Sequence, residues 1–224
     1  MLLIAHRGDT ISYSENTTAA FLSAFEKEAD GIELDVQLQN GEIIVVHDYL
    51  FDQHKNYPKL YEVLEKIESK GRIEIEIKAF TIDILSPLKK ILELFPKTDF
   101  ELTTLEIPLT FFIKETFPKI PLGLIFQDFF FQDWMTQNIV EQKIIGWGKM
   151  TKANRLHISF KILNQFGKNS LVEVFHNAGF IVHTHLFNTL DQSKNLEYIT
   201  QWGVDQCTFD NIDLLKTYLP SKTQ

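Results

Sequence analysis

The chain has 224 residues, with 44% hydrophobic and 23% charged side chains, a balance that suits a globular protein with a sizeable core. Its net charge of −8 argues against broad attraction to nucleic acid or to an anionic membrane. One cysteine, Cys207, excludes an internal disulfide and fits a reducing compartment, and no apolar run is long enough to span a bilayer.

Leu2 to His6 is predicted as a buried strand. No charged, apolar and small-residue leader pattern precedes it, so no signal peptide and a cytoplasmic location are expected. Thr17 to Glu28 is predicted as a helix, with Ala20, Phe21, Ala24 and Phe25 on one stripe. Asp30 and Gly31 turn the chain into a strand over Ile32 to Val36. Asn40-Gly41 then leads to Ile43 to His47. Asn-Gly between two such runs signals a hairpin, and the link is too short for a parallel crossover. The arm ending at His47 should therefore return beside Asp35.

A helix is predicted from Leu60 to Lys70 and a strand from Ile73 to Lys78. Further strands are expected at Phe100 to Thr103, Leu122 to Phe126, Arg155 to Ser159, Phe180 to Leu186 and Val204 to Phe209. Helical patterns separate most of them, including Ser170 to Asn177 and Gln192 to Trp202. Without the hairpin arm, eight strands alternate with helices. That pattern predicts a parallel α/β fold, a closed (β/α)8 TIM barrel in one domain over 1–224, with an open doubly wound sheet as competitor. The chain is shorter than the usual ~250 residues of such barrels, so its loops should be short.

Barrel enzymes place their chemistry at the C-terminal strand ends, where His6, Glu33, Asp35 and Glu76 all fall. Glu33 and Asp35 share one face of a strand and would repel each other unless a cation intervenes. Glu76 adds a third oxygen ligand, and all-carboxylate ligation favours Mg²⁺ or Ca²⁺. The rival reading is a set of barrel salt bridges, but Glu76 favours the metal. His6 and His47 suit general acid and base work. Arg7 and Lys78 suit a phosphate and are expected to reverse the local sign of charge. Asn16 either orients a substrate hydroxyl or metal water, or caps the helix ahead of Thr17.

Two weaker signals remain. His183 and His185 share a strand face, a spacing also found in metal-dependent amidohydrolase barrels; His183 is expected to be structural and His185 a rim contact. His54, His157 and His176 show no partner in the sequence. Phe126 to Trp134 is rich in aromatic residues. It is expected to lead into a helix packed on the barrel, and the competing reading is an exposed lip for a choline-like cation or lipid.

The pieces Ala5-His6-Arg7-Gly8, Glu15-Asn16-Thr17, Glu33-Leu34-Asp35, His47-Asp48 and Ile75-Glu76-Ile77-Lys78 resemble the glycerophosphodiester phosphodiesterase family. Fainter likeness continues through Ala178-Gly179-Phe180, Asn188, Gly203-Val204-Asp205 and Asp210-Asn211. The resemblance implies a TIM barrel with one divalent cation. It implies metal-dependent hydrolysis of glycerophosphodiesters to sn-glycerol 3-phosphate and an alcohol, through a cyclic phosphate. By that resemblance Glu33, Asp35 and Glu76 hold the metal with Glu15 close by. His6 and His47 are the acid/base pair, and Arg7 and Lys78 hold the phosphate. The substrate is a small molecule; no stable membrane insertion or nucleic-acid partner is expected.

The chain departs from the family pattern in four places. Only Tyr49 to Lys59 stands where a substantial insertion is usual, so the pocket should be more open. Ser14 replaces a proline. His185 replaces a tryptophan, and Phe209 and Ile212 flank Asp210-Asn211 in place of threonine and proline; these last two departures are placed on the rim. The alternatives are a bulkier lipid phosphodiester, in the manner of a lysophospholipase D or a phospholipase C, and a barrel that binds without catalysis.

Overall fold

A computed structural model describes residues 1–186 and 191–214. Strand and helix alternate along it: β1 (Leu2–His6), α1 (Thr18–Glu26), β2 (Gly31–Gln39), β3 (Glu42–Val45), α2 (Leu60–Ile67), β4 (Arg72–Ile77), α3 (Leu85–Leu92), β5 (Phe100–Thr104) and α4 (Ile107–Thr116). Then follow β6 (Leu122–Phe126), α5 (Gln137–Thr151), β7 (Arg155–Ser159), α6 (Phe160–Phe166), α7 (Asn169–Asn177), β8 (Ile181–His185), α8 (Gln192–Gln201) and β9 (Gln206–Phe209). Asn188, one of the family-like positions, lies outside the described residues.

Eight strands pair in parallel, and β1 joins both β2 and β9, so the sheet closes into a TIM barrel. The hairpin forms as expected: β3 runs antiparallel to β2 with Gln39 opposite Glu42. Asn40 and Gly41 have φ of 51° and 83°, the left-handed pair that a two-residue hairpin turn requires. β3 ends at Val45, two residues earlier than expected. The next amide, Val46 N–H, donates to the Asp35 carbonyl at 3.1 Å, which brings His47 back to the barrel mouth.

The apolar core lies between the barrel wall and the helices. α2 shows why: Leu60, Val63, Leu64 and Ile67 recur at helical spacing and are all buried. Phe21, Phe126, Phe175 and Phe209 are fully buried in the same layer, each worth roughly 2–3 kcal/mol of transfer free energy. Phe209 and Ile212 belong to this core and not to the rim. Phe209 follows Thr208, and alternation along β9 turns it to the helix side.

The barrel interior is polar. Along β4, Arg72, Glu74 and Glu76 alternate with the apolar Ile73, Ile75 and Ile77. Glu101, His157, His183 and Gln206 on the following strands are buried with Glu74.

Candidate active site

The first loop sets the site. Arg7 and Gly8 take φ of 55° and 86° directly after β1. Gly8 is required there, since a Cβ would stand 2.7 Å from the carbonyl carbon of Ala20 in α1. The Arg7 amide donates to Glu33 Oε2 at 3.2 Å. Thr17, not Asn16, caps α1: its hydroxyl accepts from Ala20 N–H at 3.3 Å. Asn16 instead makes a two-way link to Asp35. Its amide donates to Asp35 Oδ2 at 2.9 Å, and its oxygen accepts from the Asp35 amide at 3.3 Å. Asn16 therefore fixes a carboxylate.

Glu33, Asp35 and Glu76 present oxygens within 4.8 Å of one another. Glu33 Oε1 and Asp35 Oδ1 are buried and accept no hydrogen bond. Burial pushes the Glu33 carboxyl well above its ordinary range, and Asp35 and Glu76 push it further. Orphaned oxygens and mutual repulsion are what a divalent cation relieves, so these residues fit one. Glu15 is not in this group. It is half exposed and accepts from Arg7 Nη1 at 2.9 Å.

Arg7 and Lys78 do not reverse the sign of charge. Arg7 Nε lies 3.2 Å from Asp35, and Lys78 Nζ lies 2.8 Å from Glu76 and 3.5 Å from Asp35. Burial opposes both charges, but these carboxylates outweigh it and raise both pKa values. Three carboxylates outnumber these two cations, and Glu15 on Arg7 adds a fourth, so the group carries excess negative charge that a divalent ion offsets.

His6 Nδ1 lies 2.7 Å from Asp210 Oδ1, and His47 Nδ1 lies 2.9 Å from Asp48 Oδ1. An ionised carboxylate only accepts, so Nδ1 carries the proton in both and Nε2 is left for chemistry. His6 Nε2 stands 4.0 Å from Glu33. His6, Arg7, Glu33, His47, Glu76 and Lys78 all line one cleft of about 360 Å³ at the C-terminal mouth. Tyr49 and Phe129 add aromatic wall to it. Tyr49 donates to Glu106 at 3.0 Å and stacks on Phe80 with centroids 4.7 Å apart.

Four expectations are revised. His185 is buried beneath the mouth against His157, not on the rim. His157 has a partner, with Nε2 2.8 Å from Glu101, and so does His176, 2.8 Å from Asp205. The aromatic run splits: Phe126 and Phe131 are buried and Phe130 packs on Trp147 of α5, while Phe129 and Trp134 are exposed. Asp210, quoted from the sequence only for its Asp-Asn motif after the last strand and given no role there, is the partner of His6.

A model of the glycerophosphoryl diester phosphodiesterase family matches residues 6–117, half of the chain. A glycerophosphodiester phosphodiesterase of Caldanaerobacter subterraneus is 31% identical over 169 residues, 59% of this chain and 70% of that protein. The chain belongs to this family. As a member it is an enzyme, a phosphoric diester hydrolase. The fold is shared with a glycerophosphodiester phosphodiesterase of Agrobacterium tumefaciens, at TM-score 0.76 and 19% identity over 97% of this chain and 99% of the other. It is shared also with an Oleispira antarctica phosphodiesterase, solved with its product sn-glycerol-3-phosphate, at TM-score 0.78 and 16% identity over 97% and 96% of the chains. Among the described residues no helix is long and apolar enough to cross a membrane.

Proposed function

We propose that this chain, acting as one catalytic domain, hydrolyses glycerophosphodiesters to sn-glycerol 3-phosphate and an alcohol with one divalent cation, Mg²⁺ or Ca²⁺. The observation that carries this reading is the meeting, at one barrel mouth, of three clustered carboxylates, two of them with orphaned oxygens, and two aspartate-backed imidazoles. The product bound by the Oleispira enzyme supports the substrate class.

Glu33, Asp35 and Glu76 hold the cation, which when bound polarises phosphoryl oxygens and offsets their charge. Arg7 and Lys78, fixed by their carboxylate contacts, turn donors to the phosphate. The glycerol 2-hydroxyl attacks phosphorus and gives its proton to Nε2 of one imidazole. The other imidazole, protonated, donates from Nε2 to the departing alcohol oxygen as its P–O bond breaks. A cyclic phosphate results. Water then attacks phosphorus with the two imidazoles exchanging roles, and the ring opens to sn-glycerol 3-phosphate.

The test is release of glycerol 3-phosphate from glycerophosphocholine with Mg²⁺, with Ca²⁺ and with chelator. Release is expected with cation only. It should vanish in Glu33→Gln and fall ~10²–10⁴-fold in His6→Ala and His47→Ala, with circular dichroism unchanged. Full turnover in either histidine variant overturns that residue's role.

One observation favours a bulkier lipid diester as the substrate. Phe80 and Phe129 are 75% and 72% exposed, Phe80 on the cleft residue Tyr49 and Phe129 in the cleft wall, which gives the mouth apolar surface that suits an acyl chain. Faster turnover of lysophosphatidylcholine than of glycerophosphocholine would establish this second reading; no turnover of the lipid would remove it.

A further inference from the structure

Beneath the mouth lies a second group of ligand-type side chains that the proposed chemistry does not use. Glu74, Glu101, His157 and His183, all fully or almost fully buried, each present a ligand atom within 4.8 Å of the others. They come from four strands, β4, β5, β7 and β8, and converge on the barrel axis. We propose that these four residues form a second metal site, for a first-row divalent transition ion such as Zn²⁺.

Three geometric facts support it. His183 Nδ1 and Glu74 Oε1 face each other at 3.4 Å, and neither makes a hydrogen bond. That separation is the edge of a tetrahedron of N and O ligands about 2.0–2.1 Å from a central ion, roughly 3.3 Å. The outer atoms of three of the ligands are tied down, as metal ligands require. His183 Nε2 lies 2.7 Å from Thr208 Oγ1, and His157 Nδ1 lies 3.4 Å from His185 Nε2. Glu101 Oε2 is held by Arg155 Nε at 3.1 Å and Arg72 Nη1 at 3.3 Å, while Oε1 accepts from His157 Nε2 at 2.8 Å, a bond whose proton the ion replaces. Finally, Gly123 makes the room: a Cβ there would meet His157 Nε2 at 2.5 Å.

Ligand chemistry separates the two sites. The mouth offers only carboxylates, which suit hard ions; the interior adds two imidazoles, which suit Zn²⁺, Co²⁺ or Ni²⁺. Arg155, together with Arg72 shared with Asp99, offsets Glu101, so Glu74 supplies the carboxylate left without an arginine. Access is from the active-site side, because Glu74, His157, His185 and Thr208 line the floor of the same cleft. The inference does not rest on the catalytic reading, and its test does not read activity.

The full chain carrying Glu33→Gln and Asp35→Asn, which disables the mouth, is loaded with Co²⁺ and dialysed against ion-free buffer. Unsubstituted chain is treated in parallel. Expected is about one Co²⁺ retained per variant chain, with the intense visible d–d bands of a four-coordinate ion. Adding His183→Gln should remove both ion and bands while circular dichroism stays native; if that variant fails to fold, His157→Gln takes its place. No retained ion in either loaded protein, the weak spectrum of a six-coordinate ion, or bands that survive the histidine substitution would overturn the site. The cluster would then be a dry network of buried polar groups.

Discussion

The two imidazoles proposed for acid and base work have the same kind of partner in different solvent. Asp210 is 31% exposed in its side chain and holds His6, itself 13% exposed; Asp48 is 75% exposed and holds His47 at the surface. An exposed pair contributes little, because water screens it and the side chains remain mobile. A shielded carboxylate fixes both tautomer and ring orientation. Asp210→Asn is therefore expected to lower kcat by ~10²-fold or more, with little change in KM. Asp48→Asn should cost at most about fivefold. Equal losses in both variants would show that burial does not rank them.

At the scale of elements, the loop from β1 to α1 hangs on one buried carboxylate. Asp9 is fully buried, accepts from Ser23 at 2.7 Å and pairs with Lys27 at 2.8 Å. Burial alone would raise its pKa, but the bonds from Lys27, Ser23 and Ser12 overcome this and hold it down to about 2, against 3.8 unperturbed. A depressed carboxyl stabilises the fold above its unfolded pKa and loses that contribution as pH falls through its folded one. The contribution is roughly 2 kcal/mol, complete above about pH 5 and gone near pH 2. Urea unfolding of the unsubstituted chain and of Asp9→Asn should differ by that amount at neutral pH, and the gap should close between pH 4 and 2. A constant gap would place the effect in packing. Element boundaries themselves were largely legible: β1, β6 and β7 match their predicted limits residue for residue, because apolar runs bounded by turn residues mark buried strands. Asn40-Gly41 gave the hairpin on the same ground. The polar interior was legible only in part. Arg72-x-Glu74-x-Glu76-x-Lys78 alternates in plain view, but Glu101, His157 and Gln206 lie on separate strands, and only barrel closure brings them together.

For the whole molecule, the mouth and the barrel wall share one electrostatic problem. The chain is acidic overall, at −8, and three of its carboxylates are packed where two cations only partly offset them. The position of Glu33, Asp35 and Glu76 was readable because strand ends and two-residue spacing are local properties. Their coupling to Asn16, Arg7 and Lys78 was not, since it needs the loop from β1 to α1 and the end of β4 folded against β2. Folding without a cation therefore leaves a destabilised mouth, and a cation that binds only the folded state must stabilise the whole barrel. At a hundredfold excess over Kd that linkage is about 2.7 kcal/mol. For a chain of this size each kcal/mol moves Tm by roughly 2–4 °C, so Mg²⁺ or Ca²⁺ added to metal-stripped enzyme should raise Tm by about 5–10 °C. The Glu33→Gln variant should start with a higher metal-free Tm, because one buried charge is gone, and should show a smaller shift. Scanning calorimetry with and without each cation reads both quantities. A metal-free Tm that neither cation moves, in protein that Glu33→Gln does not stabilise, would mean that Arg7 and Lys78 already satisfy the mouth.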